Sequence, residues 1–161
     1  MEPKGLSVSE VNAAVRLRRR YYLRLHERGD LMQIRELTLQ NFRCFDQLTL
    51  EFHPNLSVIV GANGSGKTSI LEGVAIALST MFVKMDGLSG RRIDKSQAHL
   101  KAFALGSTKD VQPQYPVTVR AVAAVGNTKL TWARILMRST GNTTITDAKE
   151  MVELGVSYQN R

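Results

Sequence analysis

The sequence predicts an α/β domain in which a strand–loop–helix unit is joined to an antiparallel β subdomain and preceded by a basic helix. Three observations predict it. A mostly apolar run at 56–60 ends abruptly at Gly61 and is followed, after a glycine-containing loop, by helix-spaced apolar residues from Ile70 onward. Short alternating, β-prone stretches stand on both sides of that unit. The chain has 161 residues, 43% hydrophobic and 22% charged, enough for one water-excluding core and too short for a large multidomain assembly.

The first element is predicted from Ser7-Val8-Ser9-Glu10, a capping-box pattern in which a hydroxyl and a carboxylate satisfy each other's backbone N–H. Val8, Val11, Val15, Tyr22 and Leu25 then share one face, Arg16, Arg20 and Arg24 another, and Gly29 ends the helix. This basic helix reads either as an arm that contacts nucleic acid or a partner, or as a solvated helix packed on the domain. Met32 directly precedes the first strand pattern, so an upstream extension is a third reading.

Residues 34–39 and 48–52 alternate and are predicted to pair antiparallel through the compact segment between them. His53-Pro54-Asn55 breaks the pattern, and 56–60 reads as a strand buried on both faces. The following helix carries Ile70, Leu71, Val74, Ala75, Leu78, Met81 and Phe82 on its predicted apolar stripe. Residues 86–112 are polar and weakly periodic, with at most a short helix near 97–104. Two β-prone runs, 116–125 and 129–136, flank Gly126-Asn127-Thr128 as a hairpin, and Thr144 or Thr146 is placed to cap a last helix through Met151, Val152 and Leu154.

Composition excludes several classes. The single cysteine, Cys44, cannot form an internal disulfide, no apolar run of about 18 residues could cross a bilayer, and the N-terminus carries arginines where a secretory signal needs apolar residues. A reduced, cytoplasmic setting is the expectation, without membrane attachment. A formal net charge of +8 favours a polyanionic partner, nucleotide or nucleic acid. His26, His53 and His99 lack metal-ligand spacing, and Cys44, Tyr115 and Trp132 read first as packing residues, with Cys44 a small buried hydrophobe.

The chemistry lies in Gly61-Ala62-Asn63-Gly64-Ser65-Gly66-Lys67-Thr68, a full match to G-x-x-x-x-G-K-[ST] between a predicted strand and a helix N-terminus. Glycines there let successive N–H groups turn inward as an anion nest, with the helix dipole behind them. Lys67 supplies an ammonium for the β- and γ-phosphates of ATP, and Thr68 a hydroxyl for Mg2+. The fold class is thus a P-loop NTPase.

Residues 34–45 together with 56–72, which hold Asn41-Phe42-Arg43-Cys44-Phe45 and the P-loop, resemble the N-terminal lobe of the RecF/SMC group of ABC-type ATPases. The resemblance runs from Met32 to Leu78 and more loosely through the later hairpin. More particularly, the chain is similar to AAA-family ATPases of bacterial antiphage and retron-associated systems, such as PtuA-like proteins. The resemblance implies a head that binds ATP and Mg2+, dimerises with nucleotide between protomers, and couples closure to DNA or to a nuclease partner in defence or repair. By the family pattern Asn63, Gly64, Ser65, Gly66, Lys67, Thr68 and Ser69 would line the phosphates, with Asn41 and Arg43 beside the nucleotide.

One departure limits the chemistry. No run of four apolar residues ending in Asp-Glu follows the P-loop, so the Walker B acid that orients the attacking water is missing from the sequence. Met81-Phe82-Val83-Lys84-Met85-Asp86 is interrupted by Lys84, and Leu88-Ser89-Gly90 lies too close to the P-loop to serve as an ABC signature. Gln97, Gln112 and Gln114 all remain open for a switch-loop glutamine. The expected organisation is a basic helical extension at 1–31 and the N-terminal part of a P-loop ATPase domain at 32–161, an ATPase when complete and weakly active or inactive alone. The alternative is a non-hydrolysing module that nucleotide stabilises for binding DNA or a protein partner.

Overall fold

A computed structural model describes residues 32–105 and 108–159. The basic helix predicted for 1–31 lies outside the described residues. Strand β1 (Met32–Phe42) sits between β2 (Phe45–Glu51) and β5 (Val117–Val125), and β6 (Thr128–Leu136) and β7 (Thr143–Thr146) extend the sheet on the β5 side, giving the order β2-β1-β5-β6-β7. Every pairing in this sheet is antiparallel. Both hairpins expected from the sequence form, with Leu39 opposite Leu48 and Ala121 opposite Trp132.

Helix α1 (Lys67–Leu78) and the 3-10 turn Ser79–Phe82 lie on one face of the sheet. Alternation aims Leu37 and Leu39 from β1, Val117, Val119 and Ala121 from β5, and Leu130, Trp132 and Leu136 from β6 into the core they share with Ile70 and Ile76. Trp132 is fully buried, and its indole N–H donates to the carbonyl of Ala77 at 2.9 Å, so the polar edge of the largest core side chain is satisfied. Gly73 lets α1 approach closely: a Cβ there would come 2.7 Å from Leu39 Cδ2. Helix α2 (Lys149–Gln159) packs Met151, Val152 and Gly155 toward the 3-10 turn after α1.

Four expectations are corrected. Residues 56–60 form no strand, and Leu56, Val58 and Val60 are exposed, at 71%, 72% and 87%. A strand exists through the N–H and C=O groups of its neighbours, and no described strand runs beside this segment. The apolar stripe of α1 is also shifted: Ile70, Gly73, Ile76 and Ala77 are buried, whereas Leu71 is exposed. This helix is apolar nearly all round, so spacing alone does not choose its face; the small side chains that permit close contact do.

Residues 97–104 are not helical. Asp94 caps a single 3-10 turn, Lys95–Gln97, and the chain then enters β3 (Leu100–Leu105), paired antiparallel with β4 (Thr108–Pro113). Thr144 and Thr146 lie within β7 rather than capping α2, because Thr143–Thr146 completes the sheet edge against β6. β-Branched threonines suit that pleated edge better than a helix start.

Candidate functional site

The loop at 61–66 turns sharply through Gly64 at φ 82° and Gly66 at φ 91°, left-handed values that side chains resist. Gly66 is doubly required, because a Cβ there would strike the Phe45 ring and lie 2.8 Å from Cys44 Sγ. A Cβ on Gly61 would sit 2.6 Å from Ser65 Oγ. The loop is closed by Ser65 N–H donating to Ala62 C=O at 3.2 Å. The first helical bond of α1 is Ile70 N–H to Gly66 C=O, so the N–H groups of Lys67, Thr68 and Ser69 have no partner inside the helix. No side chain caps this end and no acidic residue occupies its first turn, leaving the positive end of the dipole undischarged.

Lys67 folds back over the loop, its ammonium donating to Gly61 C=O at 2.7 Å and Ala62 C=O at 2.6 Å. One positive charge is thereby held at the mouth of the loop, beside the free amides. Asn63, Gly64, Ser65 and Thr68 are exposed around it. The cradle therefore fits a phosphate chain: glycines where side chains would block it, first-turn donors without a partner among the described residues, one cation and no competing carboxylate in the first turn. Thr68 offers an exposed hydroxyl of the kind a phosphate-bound magnesium ion accepts.

The β1–β2 turn lies along the start of α1. Residues 66, 69 and 72 share a helix face, and the turn meets all three: Phe45 and Cys44 crowd Gly66, Cys44 Sγ lies 3.9 Å from Ser69 Oγ, and Arg43 reaches Glu72. Cys44 is exposed in this turn rather than buried as expected, since the tight reversal leaves Phe42 to fill the core. Arg43 takes φ 55° and is held from every side. Its N–H donates to Gln97 C=O at 2.7 Å, and its C=O contacts His99 Nδ1 at 2.9 Å. Its Nε and Nη2 donate to Glu72 Oε2 and Oε1 at 3.0 and 3.1 Å. Gln97, itself buried, donates to Glu72 Oε1 at 2.6 Å, and its Oε1 accepts from Asp94 N–H at 2.8 Å. Ser96 hydrogen bonds, from its side chain first and its backbone N–H next, hold the Asp94 carboxyl below its ordinary 3.8.

Arg43, Cys44, Ser69, Ser96 and His99 line an open cleft of about 530 Å³ that begins at the first turn of α1. Asn41, also at positive φ, instead donates through Nδ2 to Pro116 C=O at 3.0 Å, tying the turn to the entry of β5. Of the three glutamines considered for a switch loop, Gln97 is the one that bonds to the P-loop helix, whereas Gln112 bonds to Asp110 within β4. Glu72 and His99 escape a motif search because they act through folding, whereas Gln97 is already one of the three glutamines considered. Only the three-residue spacing from Ser69 to Glu72 marks the glutamate in advance. Among the described residues no group of three or more His, Cys, Asp or Glu is placed to hold a metal, and no helix is long and apolar enough to cross a membrane.

Comparisons with known proteins bear on the family and the fold. The AAA domain family matches residues 36–160. The DNA replication and repair protein RecF of Lactococcus lactis subsp. cremoris strain MG1363 is 46% identical over 43 residues, which are 27% of this chain and 12% of that protein. RecF of Heliobacterium modesticaldum is 37% identical over 82 residues, 51% of this chain and 22% of that protein. The chain thus spans a small part of the curated relatives it matches. A solved structure from work on ATP-driven dimerization and DNA stimulated activation of SMC ATPases superimposes with a TM-score of 0.52 at 19% identity, covering 77% of this chain and 78% of that one. The chain belongs to the AAA domain family, and its described residues have the α/β fold of a RecF/SMC-like P-loop ATPase lobe.

Proposed function

We propose that this chain binds ATP with Mg2+ through the loop at 61–69, and that residues 32–161 are the N-terminal part of an ATPase domain that hydrolyses it when complete. The observation that carries this reading is the cradle itself: left-handed glycines, unpartnered first-turn amides, and the Lys67 ammonium poised over the loop carbonyls. Magnesium, when bound, neutralises developing charge on the phosphates. The chain's own residues provide the rest. The amides of Gly64 and of Gly66 to Ser69 hold phosphate oxygens, Lys67 stabilises charge on the transferred group, and Thr68 orients the metal. The cleft from Ser69 to His99 gives the nucleoside end room.

Lys67→Ala is expected to abolish MgATP binding in titration calorimetry while leaving the circular dichroism spectrum and melting temperature nearly unchanged, since Lys67 has no role in the core. ATP affinity retained in that variant would overturn the assignment. The likeness to RecF, a DNA replication and repair protein, and to an SMC ATPase studied for ATP-driven dimerization supports a wider role in which nucleotide pairs two heads and couples that pairing to DNA. Coupling to a nuclease partner in antiphage defence is the further role that the resemblance to PtuA-like proteins implies. The exposed run at 56–60 supports completion of the sheet by further chain or by a partner.

The missing Walker B pattern favours a second reading, a non-hydrolysing module in which nucleotide stabilises a surface for DNA or protein. Phosphate release separates the two. Turnover that appears when the chain is extended beyond 161 supports the ATPase, and none in either form supports the module.

A further inference from the structure

The charged cluster behind the P-loop has a geometry that packing does not require. Arg43 adopts a left-handed backbone, which costs a non-glycine residue about 1 kcal/mol or more and persists only where the surroundings over-determine it. Here the surroundings do: Gln97 C=O, His99 Nδ1 and the Glu72 carboxylate fix its N–H, C=O and guanidinium at once. Two contacts on the carboxylate, with Nη2 also 2.9 Å from Oε2, immobilise the plane of the guanidinium rather than merely neutralising it. Glu72 is in turn gripped by Gln97, whose side-chain Oε1 accepts from the Asp94 N–H.

This fixed plane uses the Nε and Nη2 edge and leaves the two N–H groups of Nη1 without a hydrogen-bond partner among the described residues. The Arg43 side chain is 40% exposed and that of Glu72 only 17%, so the guanidinium is open to the cleft more than the carboxylate that holds it. Arg43 lines the cleft that Ser69, the last residue of the phosphate loop, also lines. We propose that Glu72 is a positioning residue for nucleotide binding: it holds the Arg43 guanidinium so that its unpaired Nη1 face meets the nucleotide where the chain of phosphates passes Ser69 into the cleft. This rests on the P-loop reading given above and deepens it by naming the residue that sets the cation's direction.

Two effects oppose each other in the test. Removing a carboxylate near a phosphate site strengthens anion binding through simple Coulomb attraction, but between partly exposed groups in water that gain is small. Releasing a guanidinium to solvent loses its preorganisation, and for a charge-assisted contact this is the larger effect. Glu72→Gln is therefore expected to weaken MgATP binding about tenfold, as is Arg43→Ala. Because Glu72 acts through Arg43, the double variant should be no weaker than Arg43→Ala alone. Arg43→Lys should not restore affinity, since a point charge cannot be held in a plane.

Titration calorimetry of the 161-residue chain with MgATP reads all four variants, and melting without nucleotide reports structural loss separately. Additive losses in the double variant, an unchanged or tighter constant in Glu72→Gln, or rescue by Arg43→Lys would each overturn the proposal while Lys67→Ala still abolishes binding. A binding constant that Lys67→Ala does not move would remove the P-loop reading, and with it the proposal.

Discussion

Among the described residues Arg134 carries its charge into the core with one hydrogen bond and no ion pair. It is 3% exposed, its Nη2 donates to Arg91 C=O at 2.7 Å, and its Nε and Nη1 find no partner among those residues. Burial is the first cause that lowers its pKa below the ordinary arginine value, with Arg92 adding repulsion. The guanidinium stays protonated at neutral pH, so the folded state bears the desolvation cost. Removing a whole uncompensated charge differs from breaking a pair, which strands the other partner. Arg134→Met forfeits about 1 kcal/mol of hydrogen bonding. Against this it relieves a larger penalty, and Ser79 Oγ, 3.5 Å away, remains near the freed carbonyl. The variant is expected to be more stable by about 1 kcal/mol, raising the melting midpoint by a few degrees. A lower midpoint would mean that the surrounding carbonyls already compensate the charge. The P-loop shows the opposite case, a residue legible without any structure: Lys67 is placed by a motif whose spacing is itself the mechanism, whereas Glu72 becomes visible only when the β1–β2 turn is laid along α1.

At the scale of elements, close approach decides the packing. Gly155 in α2 is buried against the 3-10 turn, and a Cβ there would collide with the Met81 carbonyl oxygen and lie 2.8 Å from its carbonyl carbon. Backbone cannot swing aside as a side chain can. Gly155→Ala gains about 1 kcal/mol of helix propensity. The overpacking it causes costs about 1–3 kcal/mol. The net expectation is destabilisation of up to about 2 kcal/mol, measured by urea unfolding, with MgATP affinity nearly unchanged because α2 lies away from the loop. An increase in stability would show that α2 can shift outward at little cost. The same physics explains the misread face of α1. Leu71 and Leu78 fit a helical stripe as well as Ile70 and Ala77 do, but Gly73 and Ala77 permit contact with β1 and β6, and contact selects them. The β3–β4 hairpin was hidden because Leu100–Leu105 is apolar at every position but Lys101 while Thr108–Pro113 is largely polar around Val111, so neither strand shows the alternation of period two that marks a half-buried strand.

For the whole molecule, the apolar run at 56–60 is the outstanding feature. Leu56, Val58 and Val60 project from the folded lobe immediately before the P-loop, where the sequence called for a strand. Exposed β-prone residues beside open backbone invite pairing with another chain. The isolated chain is expected to associate as concentration rises through the micromolar range, and Val58→Lys combined with Val60→Lys to shift sedimentation toward monomer. Equal association in both would show that another surface is responsible.

What the sequence determined by itself is what depends on neighbours a few residues apart: the glycine loop with its lysine and hydroxyl, the two antiparallel hairpins, and the character of the lobe. What only the tertiary structure decided depends on groups far apart in the chain. It set the face of α1, the place of β1 between β2 and β5, and the union of Arg43, Glu72 and Gln97, drawn from a turn, a helix and a 3-10 cap. It also left 56–60 outside any sheet, because hydrophobicity can say that a segment seeks cover, while only a paired neighbour can make it a strand.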